Sequence, residues 1–233
     1  RYSGPAVFFN RLFRELSRTT AVSVVTSSEA SPAGGYPWAA KTHTLMSVSG
    51  YSAATQAMWF ARSFARTVRL ASPGTVVHLH GTFLFNLGGA AAARLRGRPY
   101  LLLPLSDGAD LSNTSRLDRV AVLRIFKRWL ISGAGAGLAL SAGIAKEMRL
   151  LGLPDDRVHA ICNSASSAFF EPEYRAQAQS RGLLFIGKVG ARKRAGTVVE
   201  TLWHLRNAGW PAHATFIGPF GTDQEKGAFL DTV

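Results

Sequence analysis

The chain has 233 residues, enough for one large domain or two modest ones, and at 47% hydrophobic it can bury a core and is not a disordered tail. With 27 Lys+Arg against 14 Asp+Glu it carries a net charge of +13, which favours anionic partners: phosphorylated small molecules, nucleic acid, or the face of an anionic membrane. A single cysteine, Cys162, excludes an intramolecular disulfide; it sits in the apolar run Val158-His159-Ala160-Ile161-Cys162 and is expected to pack as a small buried side chain, no His/Asn partner for a catalytic thiol being evident.

Helix and strand patterns alternate along the chain. Residues 5–17 read as a helix, with Pro5 suited to its first turn and Val7, Phe8, Leu12, Phe13 and Leu16 on one face. Residues 21–25 read as a strand. Residues 54–69 read as a helix, with Met58, Phe60, Phe64 and Val68 apolar among Arg62, Arg66 and Arg69. A short buried strand over 75–79 runs into His80-Gly81, and an Ala-rich helix over 87–95 stops at Gly97-Arg98-Pro99. The strand 100–103 meets Pro104. A helix over 116–132 sets Val122, Leu123, Phe126, Trp129 and Leu130 on one stripe, with Arg124, Lys127 and Arg128 expected on a wet face. Such a helix either lies on anionic lipid or packs on a sheet. The uncharged run within 129–145 is rich in Gly and Ser and falls short of the ~20 apolar residues of a spanning helix.

A strand over 137–140 follows, then a helix capped by Ser141 that stops at Gly152 with Pro154 just beyond. Residues 158–162 read as a strand. The alternation then breaks: residues 163–180 are polar, contain Pro172 and read as a linker. It restarts with a strand over 183–187, a helix over 197–208, a strand over 213–217 and a helix from Asp223. Short apolar strands alternating with helices predict α/β architecture with parallel sheets covered on both faces, here in two parts.

Ligands of open α/β sheets bind at the carboxyl ends of the strands. Ser3-Gly4, His80-Gly81, Ser106 to Asp110, Asn163 and Gly187 to Arg194 occupy such positions. The loop in "IGKVGARKRAG" places Lys188, Arg192, Lys193 and Arg194 between a strand and a helix N-terminus, where backbone N–H groups, a helix dipole and cations can surround a diphosphate. It matches neither a P-loop nor GxGxxG, and a solvated basic turn is the alternative. His78 and His80 share a strand face, as hydrogen-bonding groups at a cleft or as core histidines; no further ligand at metal spacing accompanies them. Asp107 and Asp110 are candidate bases or sugar-hydroxyl acceptors, or turn formers.

The run Leu183-Leu184-Phe185-Ile186-Gly187-Lys188-Val189 to Lys193 resembles the start of the donor domain in glycosyltransferase family 4, which has the GT-B fold. The family's usual form is Gly-Arg-Leu followed shortly by Lys-Gly, and its Arg and Lys contact the diphosphate of a nucleotide sugar. Lys188 stands in the Arg position and Lys193 in the Lys position, while Arg194 replaces the usual Gly. Lysine keeps the charge and loses the bidentate fork. Ser3-Gly4-Pro5 resembles the family's glycine-rich loop. Val77 to Gly81, Leu138 to Ser141 and Val158 to Asn163 resemble its later landmarks in the same order. The loop Leu103-Pro104-Leu105-Ser106-Asp107 lacks the His that many members carry there, and Cys162-Asn163-Ser164 lacks the Pro and Gly flanking the family's Asn.

The resemblance implies two Rossmann-like parallel-sheet domains: an acceptor-side domain over 1–165, a linker over 166–181, and the start of a nucleotide-sugar-binding domain over 182–233, truncated. The family's acidic pair that holds donor sugar and ribose would lie beyond Val233, so the sequence is expected to be a piece of a longer protein, incomplete at both ends and inactive in isolation. The implied reaction moves a sugar from a nucleoside-diphosphate sugar to an acceptor hydroxyl with retention, with no cofactor and no metal. The implied catalytic residues are His80 and Asp107. Gly4, Gly187, Lys188 and Lys193 are implied to bind the donor diphosphate, and Gly81 and Ser106 lie on the acceptor side. The acceptor is expected to be a sugar, a lipid-linked sugar or a polysaccharide. Action is expected in the cytoplasm, with peripheral contact at the inner face of a membrane. The alternatives are an inactive remnant, or a basic module for anions, lipid or nucleic acid; the arginines spread over every helix but the last argue against specific nucleic-acid binding.

Overall fold

The structure is a computed structural model that describes residues 4–28, 31–32, 34–46, 52–106, 111, 120–163, 182–220 and 222–231. The chain divides into two compact units, Arg1–Ser166 and Ser167–Val233. Every strand pairing among the described residues is parallel.

In the first unit, α1 (Gly4–Leu16) leads to β1 (Ser23–Thr26), which pairs with β2 (Lys41–Thr44). Then come α2 (Ala53–Leu70), β3 (Val77–His80), a 3-10 turn, α3 (Gly88–Leu95), β4 (Tyr100–Leu103), α4 (Ala121–Ser132), β5 (Ala136–Ala139), α5 (Ala142–Leu150) and β6 (Val158–Ala160). Strands β3-β4-β5-β6 form one sheet in sequence order. Its core joins Leu79 and Leu102 of the strands to Leu87, Ala90 and Ala93 around α3, to Leu130 and Ile131 of α4, and to Ile144 and Met148 of α5.

Several elements follow from local chemistry. The Ser52 hydroxyl accepts from Thr55 N–H at 3.1 Å and starts α2; Ser141 accepts from Ile144 N–H at 3.1 Å and starts α5. The helix α2 lies close against α3 because Gly88 has no side chain: a Cβ there would meet the Phe60 carbonyl and the Ser63 hydroxyl. The buried face of α2 is therefore Trp59, Ser63 and Thr67, at four-residue spacing. Met58, expected among the apolar face, is exposed.

Other expectations are corrected as well. β2 was not foreseen: Lys41-Thr42-His43-Thr44 has no apolar run, and only His43 is buried. On α1 the buried residue is Phe13, with Phe9 beside it in ring contact at 4.9 Å, while Leu16 is exposed. α4 turns differently from the expected stripe. Lys127 is fully buried with Leu130 and Ile131, and Val122 and Trp129 point to solvent. Seven of its twelve residues are apolar enough to define two stripes, and the sheet takes only one. Cys162 is exposed, since β6 ends two residues before it.

The second unit holds β7 (Gly182–Ile186), α6 (Ala195–Asn207), β8 (His213–Ile217) and α7 (Asp223–Leu230). β7 and β8 pair residue for residue from Gly182–His213 to Ile186–Ile217. Thr222 accepts from Glu225 N–H at 3.1 Å and caps α7, within a Thr-x-x-Glu capping sequence.

Candidate functional site

At the carboxyl end of the first unit's sheet, β3 and β4 run side by side, with His80 opposite Leu103. Gly81 continues the ladder by donating its N–H to the Leu103 carbonyl at 2.9 Å, in a left-handed conformation (φ 78°) that suits glycine. The pairing brings Gly81 and the segment Pro104-Leu105-Ser106 to one edge. Asp107 lies outside the described residues, as does Ser3, and Gly4 is the first residue of α1. Ser141 and Asn163 follow β5 and β6 toward the same edge.

His80 itself turns inward. Its ring meets Phe9 edge-on at 4.9 Å, Phe13 at 5.4 Å and His78 at 4.7 Å. The Nε2 atoms of His78 and His80 are buried without a hydrogen-bond partner, as is the Thr82 hydroxyl just past Gly81. Burial holds the His78 pKa down at about 4. Burial, and next the neighbouring His78, pushes His80 down to about 3. Both imidazoles are neutral near pH 7. Of the two placements open for His80, the ring takes the interior one, while its carbonyl accepts from Asn86 Nδ2 at 3.2 Å. Asn86 in turn accepts from Trp59 Nε1 at 3.2 Å, tying α2 to the turn after β3. The aromatic lining of this corner escaped the sequence reading, because Tyr36 and Trp38 lie in an irregular segment; Trp38 packs 5.6 Å from Phe9 and donates Nε1 to Asn10 Oδ1 at 3.2 Å.

In the second unit, β7 ends at Ile186 and Gly187 donates its N–H to the Ile217 carbonyl at 2.9 Å. Gly187 (φ 154°) and Gly218 (φ 151°) face each other so closely that a Cβ on Gly218 would overlap the Gly187 carbonyl. The chain then buries Val189, which bridges to Phe220, and exposes Lys188 on one side of it and Lys193 and Arg194 on the other. Residues Ala191–Lys193 form a 3-10 turn, and Arg194 sits in the left-handed region at φ 52°, ψ 42°. That conformation turns the chain into α6, whose first residues, Ala195 and Gly196, carry almost no side chain; a Cβ on Gly196 would meet nothing within 4 Å. Among the described residues neither Lys188 nor Lys193 forms an ion pair. A glycine, two free ammonium groups and an uncluttered helix N-terminus thus follow one strand within nine residues. Among the described residues no group of three or more His, Cys, Asp or Glu side chains could hold a metal.

The family described as "Glycosyl transferase 4-like domain" matches residues 3–164, the extent of the first unit to within a few residues. No curated protein matches the sequence. Among solved structures, HepE of Anabaena in complex with UDP-glucose superposes with TM-score 0.65 at 13% identity, over 100% of this chain and 62% of that one. Its complex with UDP gives 0.67 at 13% identity, over the same shares. The lipopolysaccharide outer core galactosyltransferase WaaB, in its apo form, gives 0.54 at 13% identity over 97% and 59%. These likenesses establish an α/β fold of the GT-B kind, and the chain spans about 62% of the length of the HepE structures.

Proposed function

The chain belongs to the glycosyl transferase 4-like domain family, and from that premise we propose that its parent protein transfers a sugar from a nucleoside-diphosphate sugar to an acceptor hydroxyl with retention of configuration. The observation that carries the reading is the loop after β7, where Gly187, Lys188 and Lys193 precede the open N-terminus of α6. As the bond from sugar to diphosphate breaks, negative charge grows on the leaving oxygen. Two ammonium groups and a helix N-terminus stabilise that charge more in the transition state than in the ground state, which is what lowers the barrier. Lysines act here as point charges, without the two-pronged geometry of arginine. Gly187 lets the phosphates approach the backbone.

The first unit takes the acceptor at the edge formed by Gly81 and Ser106, with Gly4 as a further ligand of the donor diphosphate and Asp107 as the group that receives or orients a hydroxyl. His80 is the other residue that the resemblance implies to be catalytic, and its ring, neutral and turned into the aromatic corner, lies directly before Gly81 of this edge. The reaction uses no metal or other cofactor. HepE's complex with UDP-glucose makes a uridine diphosphate hexose the first donor to try. A lipid-linked sugar or a polysaccharide is the acceptor class. The cationic surplus of +13 supports work on the cytoplasmic side, in peripheral contact with an anionic membrane; no helix among the described residues is long and apolar enough to cross it.

Lys193→Ala in the complete protein lowers turnover about tenfold or more. Donor-dependent release of nucleoside diphosphate measures this, and unchanged kinetics would remove Lys193 from the mechanism.

A further inference from the structure

We propose that the solvent face of α4 is a docking surface for an anionic lipid bilayer. This gives the peripheral contact named above a defined surface, and it rests on that part of the reading alone, not on sugar transfer.

The helix is fixed from behind. Lys127, Leu130 and Ile131 are buried, and Tyr100 Oη donates to the Leu130 carbonyl at 2.5 Å. In front, Val122 is 72% exposed, Ile125 67% and Trp129 47%. Their three- and four-residue spacing sets them in one line along the helix. Arg124 and Arg128 are exposed beside that line, and the helix contains no acidic residue. A third cation comes from α3: the Arg94 guanidinium lies 3.9 Å from the Trp129 ring centroid and donates Nη1 to the Trp129 carbonyl at 3.1 Å. The pairing holds the indole in a set orientation and adds positive charge at the end of the stripe.

The combination selects its occupant. Aliphatic side chains in a row gain by entering the acyl boundary, while arginines at that depth reach back to phosphate headgroups. Single-stranded nucleic acid needs stacking rings, and here Val122 and Ile125 occupy the places of two of them. A second copy of the chain, related by a two-fold axis, would bring the same arginines into one interface and repel. A surface of phosphatidylglycerol complements both the charge and the apolar stripe, with each arginine near such a surface strengthening binding about fivefold.

Flotation of the full chain with vesicles tests this. The vesicles are phosphatidylcholine alone, or phosphatidylcholine and phosphatidylglycerol in equal parts, with neither donor nor acceptor present. The protein is expected to float with the anionic vesicles and only weakly with the neutral ones. Ile125→Glu lowers the partition about tenfold or more, whereas Arg62→Ala, an equal charge change on the exposed side of α2, alters it by less than about twofold. Circular dichroism confirms that both variants are folded. The proposal is overturned if the wild type does not float, or if the two variants weaken binding equally. It is also overturned if light scattering shows a dimer that Ile125→Glu dissolves while vesicles are ignored, the occupant then being a second copy. Each of these failures leaves the transferase reading standing, and loss of transfer in Lys193→Ala leaves vesicle binding untouched.

Discussion

The sheet of the first unit and the ladder of the second are built from the same kind of strand, yet they treat their apolar side chains differently. In β4, Tyr100, Leu102 and Leu103 are buried, with α3, α4 and α5 contributing to the core around them. In β7 and β8, Leu184, Ile186 and Ile217 are exposed, and among the described residues of that unit only Val189, Ala195 and Ala212 are buried hydrophobics. A strand's sequence declares that it wants covering on both faces; whether it is covered depends on the elements around it. The first unit holds its own core. The second, over its described residues, holds a formed ladder and basic loop with little core to support them.

The sharpest way to break this comparison is to separate the units. Expressed alone, Arg1–Ser166 is expected to unfold cooperatively in urea, while Ser167–Val233 shows no sigmoidal transition, because so small a core does not offset the conformational entropy of 67 residues. A cooperative transition in the second fragment would show that its exposed strands are sufficient as they stand. A milder version needs only single substitutions. Leu102→Ala removes a fully buried side chain from the centre of the sheet and should cost about 2–5 kcal/mol, whereas Leu184→Ala on exposed β7 should cost less than about 0.5 kcal/mol. Urea midpoints of the whole chain, followed by a probe in each unit, give both values.

Acid should also act on the two units unequally. His78 and His80 are held neutral in the first unit, at about 4 and about 3, chiefly by burial, and burial likewise lowers His43, followed by Arg66 and Lys41. Above the unfolded value of about 6.5 neither state binds a proton, and these residues cost nothing. As pH falls below it, the unfolded chain takes up protons that the folded unit refuses, so stability drops until the folded values are reached. For His78 alone the loss is on the order of 3 kcal/mol, from 1.36 kcal/mol per pH unit. The first unit's unfolding midpoint should therefore fall steeply between about pH 6.5 and about 4. His80→Phe, which keeps a ring beside Phe9 and Phe13, should flatten that dependence; an unchanged slope would place the acid sensitivity elsewhere.

What could be read in the sequence was whatever a short window encodes. Ser141 three residues before Ile144, with Gly152 and Pro154 beyond, announces α5 with its cap and its stop. Tyr100 to Leu103 announces a buried strand. The site's loops follow from the same alternation, since each begins where a strand ends. What stayed hidden depends on neighbours distant in the chain. β2 exists because β1 offers it a partner, not because Lys41-Thr42-His43-Thr44 prefers a strand. The face of α4 is chosen by the sheet beneath it, and the inward turn of His80 by Phe9 and Phe13, some seventy residues earlier.

Arg194 joins the two kinds of information. The sequence places a cation where the family's pattern has glycine, and the structure explains what the glycine is for: the residue adopts φ 52°, ψ 42° as it turns the 3-10 segment into α6. A side chain in that region costs about 1–2 kcal/mol, part of which glycine gives back through its greater freedom when unfolded. Arg194→Gly should therefore raise the stability of the chain by about 0.5–1 kcal/mol, a small effect but the most informative about the loop. Arg194→Ala separates the two roles, since it keeps the strain and removes the charge. If Arg194 is retained for its guanidinium, both variants bind nucleoside diphosphate more weakly in the complete protein, and only the glycine variant is more stable. If both variants bind as well as the parent, the charge is incidental and the loop's grip on the diphosphate comes from Lys188, Lys193 and the helix N-terminus alone.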